Sequence, residues 1–349
     1  MKLPICFPPP VLLFAHHFIP ITIIRAYEHT SDWYYSNYIQ LCVPRQFNPR
    51  AEFLNFYPAF LTEQNSVFLT LYKLNEKLAS INENNFINHI IDWLNNDFYF
   101  VSFINGAEIP GTFLHSVKDD MLLEAFIFGY DWEKESFQML GFNKLREIKV
   151  IDIGFNDLKK AFFSSKTKKL LEEPVWTFGN EFCITLYEFN KTAKYKLDPG
   201  HIANQIKEYL NSENSATHYR ILNTNKIDYL FGMDIYEVLI EYLSDKELSK
   251  IDFKIFHGLW EHKRIMLERI KYLAGSNYIT NPNNYTDRYS SIEKETQHIR
   301  MLSLKFRKTL DKEIIKRITN SMYTIKADET VILQELYEDL TKRCEYNNI

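Results

Sequence analysis

The sequence predicts an α+β fold, with an antiparallel sheet in its first part and a mainly helical second part. Runs of apolar and β-branched residues alternate with turn residues as far as residue 165. Apolar residues at one-face helical spacing dominate after residues 198–200. The 349 residues, 46% of them hydrophobic, suffice for two cores. We therefore expect two domains, 1–165 and 166–349, with the boundary at the lysine-rich segment 166–169.

The N-terminal region predicts one strand followed by one helix. Residues 18–24 are rich in β-branched side chains, which favours a strand. Residues 30–32 read Thr-Ser-Asp and supply side chains that can cap a helix. The first helix is therefore expected over residues 33–41.

The middle of the first part predicts an antiparallel sheet framed by two helices. Ile87, Ile91 and Leu94 form an apolar stripe that predicts a helix ending at residues 95–96. Residues 156–163 predict a short helix that closes the domain. Short turns separate the expected strands, which makes antiparallel pairing the natural arrangement. These strands are residues 98–104, 122–130, 137–142 and 148–153.

The second part predicts a strand or strand pair within residues 175–189 and then a series of helices. The helices are indicated by apolar residues that share one face. The three sets are Ile202, Ile206 and Leu210; Ile235, Val238, Leu239 and Leu243; and Met266, Ile270 and Leu273.

Charge and cysteine content limit the functions to be expected. Charged residues make up 25% of the chain and the net charge is −4, so no broad positive field is expected to gather nucleic acid or a membrane surface. The four cysteines have no paired spacing, and no metal or cofactor motif is present. Prolines and histidines interrupt the apolar N-terminus, which argues against a signal sequence. We expect a cytoplasmic protein without a metal or cofactor.

Several short motifs together resemble one known family. An apolar strand enters the turn at residues 128–131, as in the central hairpin of papain-like cysteine enzymes. The other motifs are residues 35–37, 97–104, 108–110, 206–210 and 259–267, with Gly232 and Tyr236. The whole order is similar to the family of butirosin biosynthesis protein H. Its members pair a papain-like, cysteine-peptidase-type N-terminal domain with a helical C-terminal domain.

The resemblance implies acyl or aminoacyl transfer from a carrier-protein thioester to an amine, within peptide or antibiotic biosynthesis. A cysteine at a helix N-terminus would attack the thioester, and a histidine would deprotonate the amine. The expected partner is an acyl or peptidyl carrier protein, or a peptide intermediate. Proteolysis of a leader peptide is a further activity of the fold, and it needs the same thiolate.

The residues that the resemblance places at the reacting positions cannot perform this chemistry. The cysteine position falls at or beside Trp33, the histidine position falls at Leu123, and the orienting residue falls near Asn143. The candidate cleft positions are Asp32, Trp33, Tyr35, Ser36, Leu123, Glu124, Asp131 and Asn143. The chain is therefore expected to be a divergent member. The alternative is a non-catalytic protein that uses the cleft for binding.

Other residues could substitute for the missing groups. Cys6 could reach a cleft together with His16 or His17, of which only one can face a given site if they lie in a strand. Cys42 and Cys183 are expected to be core residues.

Two polar groups remain open from the sequence alone. Glu261 and His262 could handle protons on a helix, although a polar contact between helices is favoured. Asp119, Asp120 and Glu124 could bind a cation or a polyamine, although solvated loop carboxylates are commoner.

Overall fold

The computed structural model describes residues 1–45, 54–57, 66–74, 80–171, 184–219, 229–244 and 254–346. Its helices are α1 (Ala15–Ile24), α2 (Ser31–Ser36), α3 (Phe86–Asn95), α4 (Phe113–Val117), α5 (Phe155–Phe163), α6 (Ser165–Leu171), α7 (Pro199–Leu210), α8 (Ile235–Ser244), α9 (Lys254–Gly275), α10 (Pro282–Thr309) and α11 (Lys312–Tyr346). Its strands are β1 (Leu41–Pro44), β2 (Asn55–Phe56), β3 (Leu69–Leu74), β4 (Phe98–Asn105), β5 (Leu122–Asp131), β6 (Ser136–Phe142), β7 (Ile148–Gly154), β8 (Ile184–Phe189) and β9 (Tyr229–Phe231).

The chain forms two compact units, each assembled from two segments. Met1–Thr30 and Leu61–Lys194 form the first, which we call the sheet unit. Ser31–Phe60 and Tyr195–Ile349 form the second, which we call the helical unit. The bounds of these units differ from those of the domains 1–165 and 166–349 expected from the sequence. The domain boundary near residue 165 stays a prediction.

The sheet unit is built on a six-stranded antiparallel sheet, in the order β3-β8-β4-β5-β6-β7. Helices α3, α5 and α6 pack against β4. Phe86 on α3, Phe100 on β4 and Phe126 on β5 are fully buried, so aromatic side chains form much of this core. The α+β class, the four central strands and the helices α3 and α5 are thus confirmed.

The late strand β8 explains why the sheet unit continues beyond residue 165. β8 pairs with both β3 and β4, so residues 184–189 occupy an interior position of the sheet. The Thr167 hydroxyl accepts a hydrogen bond from the Asn105 backbone NH at 2.8 Å and donates one to the Ala161 carbonyl at 2.7 Å, which fixes α6 beside β4. The rest of the expected strand pair, residues 175–183, lies outside the described residues.

The strand expected at residues 18–24 is wrong, because these residues belong to α1. Every residue from His17 to Ile24 is buried, and a helix buried on all sides has a continuous apolar sequence like that of a buried strand. The Thr22 hydroxyl donates to the Phe18 carbonyl one turn earlier at 2.6 Å, which satisfies that hydroxyl inside the helix.

The helical unit combines α7–α11 with a small antiparallel sheet in the order β2-β1-β9. Ile206 on α7, Leu239 on α8 and Ile270 on α9 are fully buried, as their one-face spacing predicts. Within the described ranges, no helix offers a segment long and apolar enough to span a bilayer.

The first helix is shorter than expected, because α2 ends at Ser36 rather than at residue 41. Tyr38 has φ 61°, a left-handed conformation that a helix interior does not allow. The chain then enters β1 at Leu41, so Cys42 lies in a strand and not on a helix. Its expected place in the core is confirmed, since the side chain is buried.

Replacing Asp198 with Ala is expected to lower the free energy of unfolding by about 1 kcal/mol. Asp198 is the N-cap of α7, where its carboxylate accepts a hydrogen bond from the His201 backbone NH at 2.9 Å. Alanine would leave that NH without its side-chain acceptor. Urea unfolding followed by circular dichroism measures the change, and Asp198→Asn should retain most of the stability. Equal losses in the two variants would contradict the capping role.

Candidate functional site

The eight predicted cleft positions fall in both units. Asp32, Trp33, Tyr35 and Ser36 lie on α2 of the helical unit. Leu123, Glu124, Asp131 and Asn143 lie on the β5–β7 meander of the sheet unit.

The α2 side chains pack the helix against its neighbours. The Asp32 carboxylate accepts a hydrogen bond from the Tyr272 hydroxyl at 2.6 Å, and the Tyr35 ring stacks on the Tyr272 ring at 4.3 Å between centroids. Trp33 is buried and meets Tyr38 edge to face at 6.4 Å. The position that the resemblance assigns to a nucleophile therefore holds a core side chain.

Ser36 lies at a junction that includes two residues overlooked in the sequence. Its hydroxyl donates to the Asp32 carbonyl at 2.8 Å, and its own carbonyl accepts from the Gln205 amide at 2.8 Å. The same amide nitrogen lies 2.6 Å from Nε2 of His201. Burial lowers the pKa of His201, which favours the neutral ring that can accept this bond. In the sequence, the signal for this contact is the i, i+4 spacing of His201 and Gln205 after the Asp198 cap.

This junction can accept a proton at His201 but offers no exposed nucleophile. Ser36 is fully buried and its hydroxyl is already a donor to the backbone. Tyr195 also bonds to Ser36, and the pKa of the Tyr195 phenol is raised, chiefly by burial. The arrangement thus fixes α2 to α7.

On the meander, Leu123 and Glu124 are ordinary members of β5. They pair with Ile104 and Phe103 of β4, and both are half-buried. Leucine has no group that exchanges a proton, so the expected histidine position has no base. Asp120, on the preceding turn, is paired with Lys166 at 3.3 Å.

Asp131 and Asn143 organise the two turns of the meander. The Asp131 carboxylate accepts from the backbone NH groups of Glu133 and Lys134, and the bond from Lys134 is the main cause of its lowered pKa. The Asn143 side-chain oxygen accepts from the NH groups of Leu145 and Glu147 at 2.9 and 3.0 Å. These contacts give Asn143 a turn-forming role in which its side-chain oxygen is engaged.

Two of the described cysteines, Cys42 and Cys344, have raised pKa values that favour the thiol. Burial raises the pKa of Cys42 to about 12. Burial and the Asp198 carboxylate raise the pKa of Cys344. The Cys6 sulfur lies 3.7 Å from the Pro8 carbonyl, where it can donate a hydrogen bond only as a thiol. Cys183 lies outside the described residues.

His16 and His17 do not lie in a strand, so the expectation that they point to opposite faces is wrong. Both are on α1, with ring centroids 4.4 Å apart. His16 stacks on Phe14 at 5.3 Å, whereas His17 is fully buried. The Cys6 backbone NH donates to the Thr22 carbonyl at 2.9 Å, which attaches the residue to the same helix.

The helical unit contains a buried ionic cluster. The Lys263 ammonium lies 2.7 and 2.8 Å from the two oxygens of Glu329, and both side chains are fully buried. The hydroxyls of Tyr209, Tyr236 and Tyr289 also donate to this carboxylate. Burial lowers the pKa of Lys263, while burial and Glu329 raise those of the tyrosines. The cluster joins α9 and α11 to three other helices.

Sequence reasoning missed this cluster, although α11 carried a signal for it. Glu329 lies among Ile325, Ile332 and Leu333, which are all buried, so a carboxylate interrupts the apolar face of a helix. A charge at such a position needs a partner. Its partner, Lys263, follows the residue His262 that the sequence had singled out.

His262 forms a polar contact between elements. Its Nε2 lies 2.7 Å from the Ile39 carbonyl and its Nδ1 lies 3.1 Å from the Lys263 ammonium, which fits a neutral ring protonated on Nε2. Burial, and then Lys263, hold the pKa of His262 well below its usual value. Glu261 is buried and pairs with His257 at 3.2 Å.

Arg269 supports the turn that ends α2. The guanidinium is fully buried and donates to the carbonyls of Tyr35 at 2.8 Å, Asn37, and Tyr38 at 3.2 Å. Burial lowers its pKa to about 10. One side chain on α9 thus satisfies one carbonyl in the last turn of α2 and two carbonyls in the turn that follows.

A cleft of about 730 Å³ opens elsewhere in the helical unit, between the start of α10 and the end of α11. Its lining includes Asn284, Tyr285, Glu338 and Arg343, and none of the predicted cleft positions. Among the residues that the structure describes, no three His, Cys, Asp or Glu side chains are placed to hold a metal ion.

No protein-family model matches this chain, and no curated protein matches it at a significant level. The resemblance to the butirosin-H-like family therefore rests on the short motifs alone.

Stability is expected to fall as the pH is lowered below 6.5, the ordinary pKa of histidine. The pKa of His262 in the folded protein is below that of the unfolded chain, so the unfolded chain binds the proton first. The stability that the neutral His262 ring contributes is fully present above pH 6.5. It is lost as the pH falls towards the lower pKa of His262 in the folded protein. Urea unfolding at several pH values measures this slope.

His262→Gln should reduce the slope below pH 6.5, because it removes the buried titrating ring. His298, which is exposed, provides the matched control His298→Gln. An unchanged slope in His262→Gln would contradict the assignment.

Proposed function

We propose that this chain is a divergent butirosin-H-like protein that binds an acyl or peptidyl carrier protein, or a peptide intermediate, without forming an acyl-cysteine. The proposal includes a papain-like origin for residues 1–165. It is supported by an α+β chain with an antiparallel sheet and a mainly helical second unit.

The burial and contacts of the three described cysteines, Cys6, Cys42 and Cys344, carry the non-catalytic part of the proposal. A cysteine nucleophile must be available as a thiolate, which a helix N-terminus or a neighbouring cation stabilises. Cys42 and Cys344 have raised pKa values, and Cys6 contacts a carbonyl oxygen. Trp33, at the expected nucleophile position, is buried and cannot react.

Binding is tested by biolayer interferometry with a panel of immobilised carrier proteins, each with and without an acyl group. At least one carrier is expected to bind reversibly. Tyr35→Ala, at a predicted cleft position, should weaken that binding, whereas Tyr323→Ala, at a site 56% exposed on α11, should not. Lack of binding to every carrier would contradict the proposal that the partner is a carrier protein.

The second candidate is acyl transfer through Cys6. It is favoured by the attachment of Cys6 to α1, the helix that carries His16 and His17. In that case the Cys6 thiol would lose its proton to an imidazole, attack the thioester and release the carrier thiol, and an amine would then displace the acyl group from sulfur.

A further inference from the structure

The far end of the α10–α11 hairpin is strongly basic. We call residues 297–317 the hairpin tip. It contains seven Lys and Arg residues and two Asp and Glu residues, although the whole chain has a net charge of −4. The rest of the chain is therefore acidic. This asymmetry gives the hairpin tip a local positive field that the overall charge conceals.

Large apolar side chains are exposed within this basic surface. Met301 and Leu310 are each 56% exposed, and Leu304 is 41% exposed. Met301, Leu304, Lys305 and Lys308 follow i, i+3, i+4, i+7 spacing and so share one face of α10. The hairpin tip therefore presents an apolar stripe bordered by lysines.

Three lysines of the hairpin tip are available to a partner. Lys305, Lys308 and Lys312 are exposed, and they form no ion pair with any residue that the structure describes. Lys316, further along α11, is different, because it pairs with Glu313 at 2.6 Å.

We infer that the hairpin tip docks an acidic amphipathic helix of a partner protein. A helix whose apolar stripe is bordered by Asp or Glu would cover Met301 and Leu304 and place carboxylates beside Lys305 and Lys308. Complementary charge directs the encounter between two such helices. The inference goes beyond the proposed function, because it holds for any acidic helical partner.

The composition of the hairpin tip favours a protein over a lipid surface or a nucleic acid. Of the Trp, Phe and Leu side chains that membrane-surface helices present to lipid, the hairpin tip exposes only Leu. The hairpin tip contains no Trp, and its one Phe, Phe306, is fully buried. Single-stranded nucleic acids stack on exposed aromatic rings, whereas Met301 and Leu304 lie at the centre of this stripe.

The test uses the full chain and a fluorescent helical peptide of about 20 residues, long enough to form a helix. The peptide carries a leucine stripe bordered by glutamates, and a control peptide has glutamine at the glutamate positions. Lys305→Glu/Lys308→Glu/Lys312→Glu is expected to weaken binding of the acidic peptide about tenfold or more. Lys144→Glu/Lys168→Glu/Lys169→Glu changes the charge equally at exposed sites of the sheet unit and should have much less effect.

The apolar half of the stripe is tested by Met301→Ser/Leu304→Ser, which should also weaken binding while the charges stay in place. Equal weakening by the two lysine triples would overturn the inference, because it would reflect overall charge. Equal binding of the glutamine peptide would overturn it as well. Stronger binding of phosphatidylglycerol vesicles or of a single-stranded oligonucleotide than of the peptide, at the same salt concentration, would assign the hairpin tip to that partner instead.

Discussion

Lys263→Met is expected to lower the free energy of unfolding by about 3–5 kcal/mol. Lys263 supplies the positive charge that compensates the Glu329 carboxylate, and neither side chain is exposed. Methionine fills a similar volume but leaves that carboxylate with only its tyrosine donors. Urea unfolding at neutral pH measures the loss.

Two variants separate the buried charge from other effects of the substitution. Lys263→Met/Glu329→Leu removes both charges and should recover much of the stability, since a buried ion pair can often be replaced by apolar side chains. Lys326 lies on the same helix as Glu329 and forms a partly exposed ion pair with Glu237 of α8. Lys326→Met breaks this pair and should lower the free energy of unfolding by about 1 kcal/mol or less. A double variant no more stable than Lys263→Met would contradict the explanation.

Arg269→Met is expected to cost about 3 kcal/mol or more, because each buried acceptor left unsatisfied costs about 1–3 kcal/mol. The guanidinium donates hydrogen bonds to the carbonyls of Tyr35, Asn37 and Tyr38. Its loss would also release the turn that ends α2, and with it the predicted cleft residues. The change is measured by urea unfolding.

Arg269→Lys tests the geometry of this contact. Lysine retains the charge but lacks the planar set of donors, so an intermediate loss is expected. Lys271→Met, at an exposed position two residues away, should change stability little. Full stability in Arg269→Lys would show that charge alone is sufficient.

Local sequence patterns predicted the α+β class and most elements of the sheet unit. Strands β4–β7 are apolar runs separated by turn residues, so their bounds could be read directly. The same rule failed for α1, because burial on all sides removes the periodicity that distinguishes a helix from a strand. α2 was predicted too long because its end depends on Arg269, more than 200 residues later in the chain.

The candidate site was predictable only where a residue's role is local. Asp131 and Asn143 are turn residues whose partners lie within four positions. The Lys263–Glu329 cluster and the junction of Ser36 with Gln205 join residues 66 and 169 positions apart, and pattern reasoning cannot pair such distant residues. The papain-like origin, the catalytic state and the carrier-protein partner stay predictions.

We propose that this chain forms no acyl-cysteine, and intact-protein mass spectrometry after incubation with acyl-loaded carrier proteins tests this proposal. We predict that the mass of the wild-type protein stays unchanged while the carrier remains bound. An added acyl mass that disappears in Cys6→Ala, and persists in Cys42→Ala, would contradict the claim and identify a relocated nucleophile.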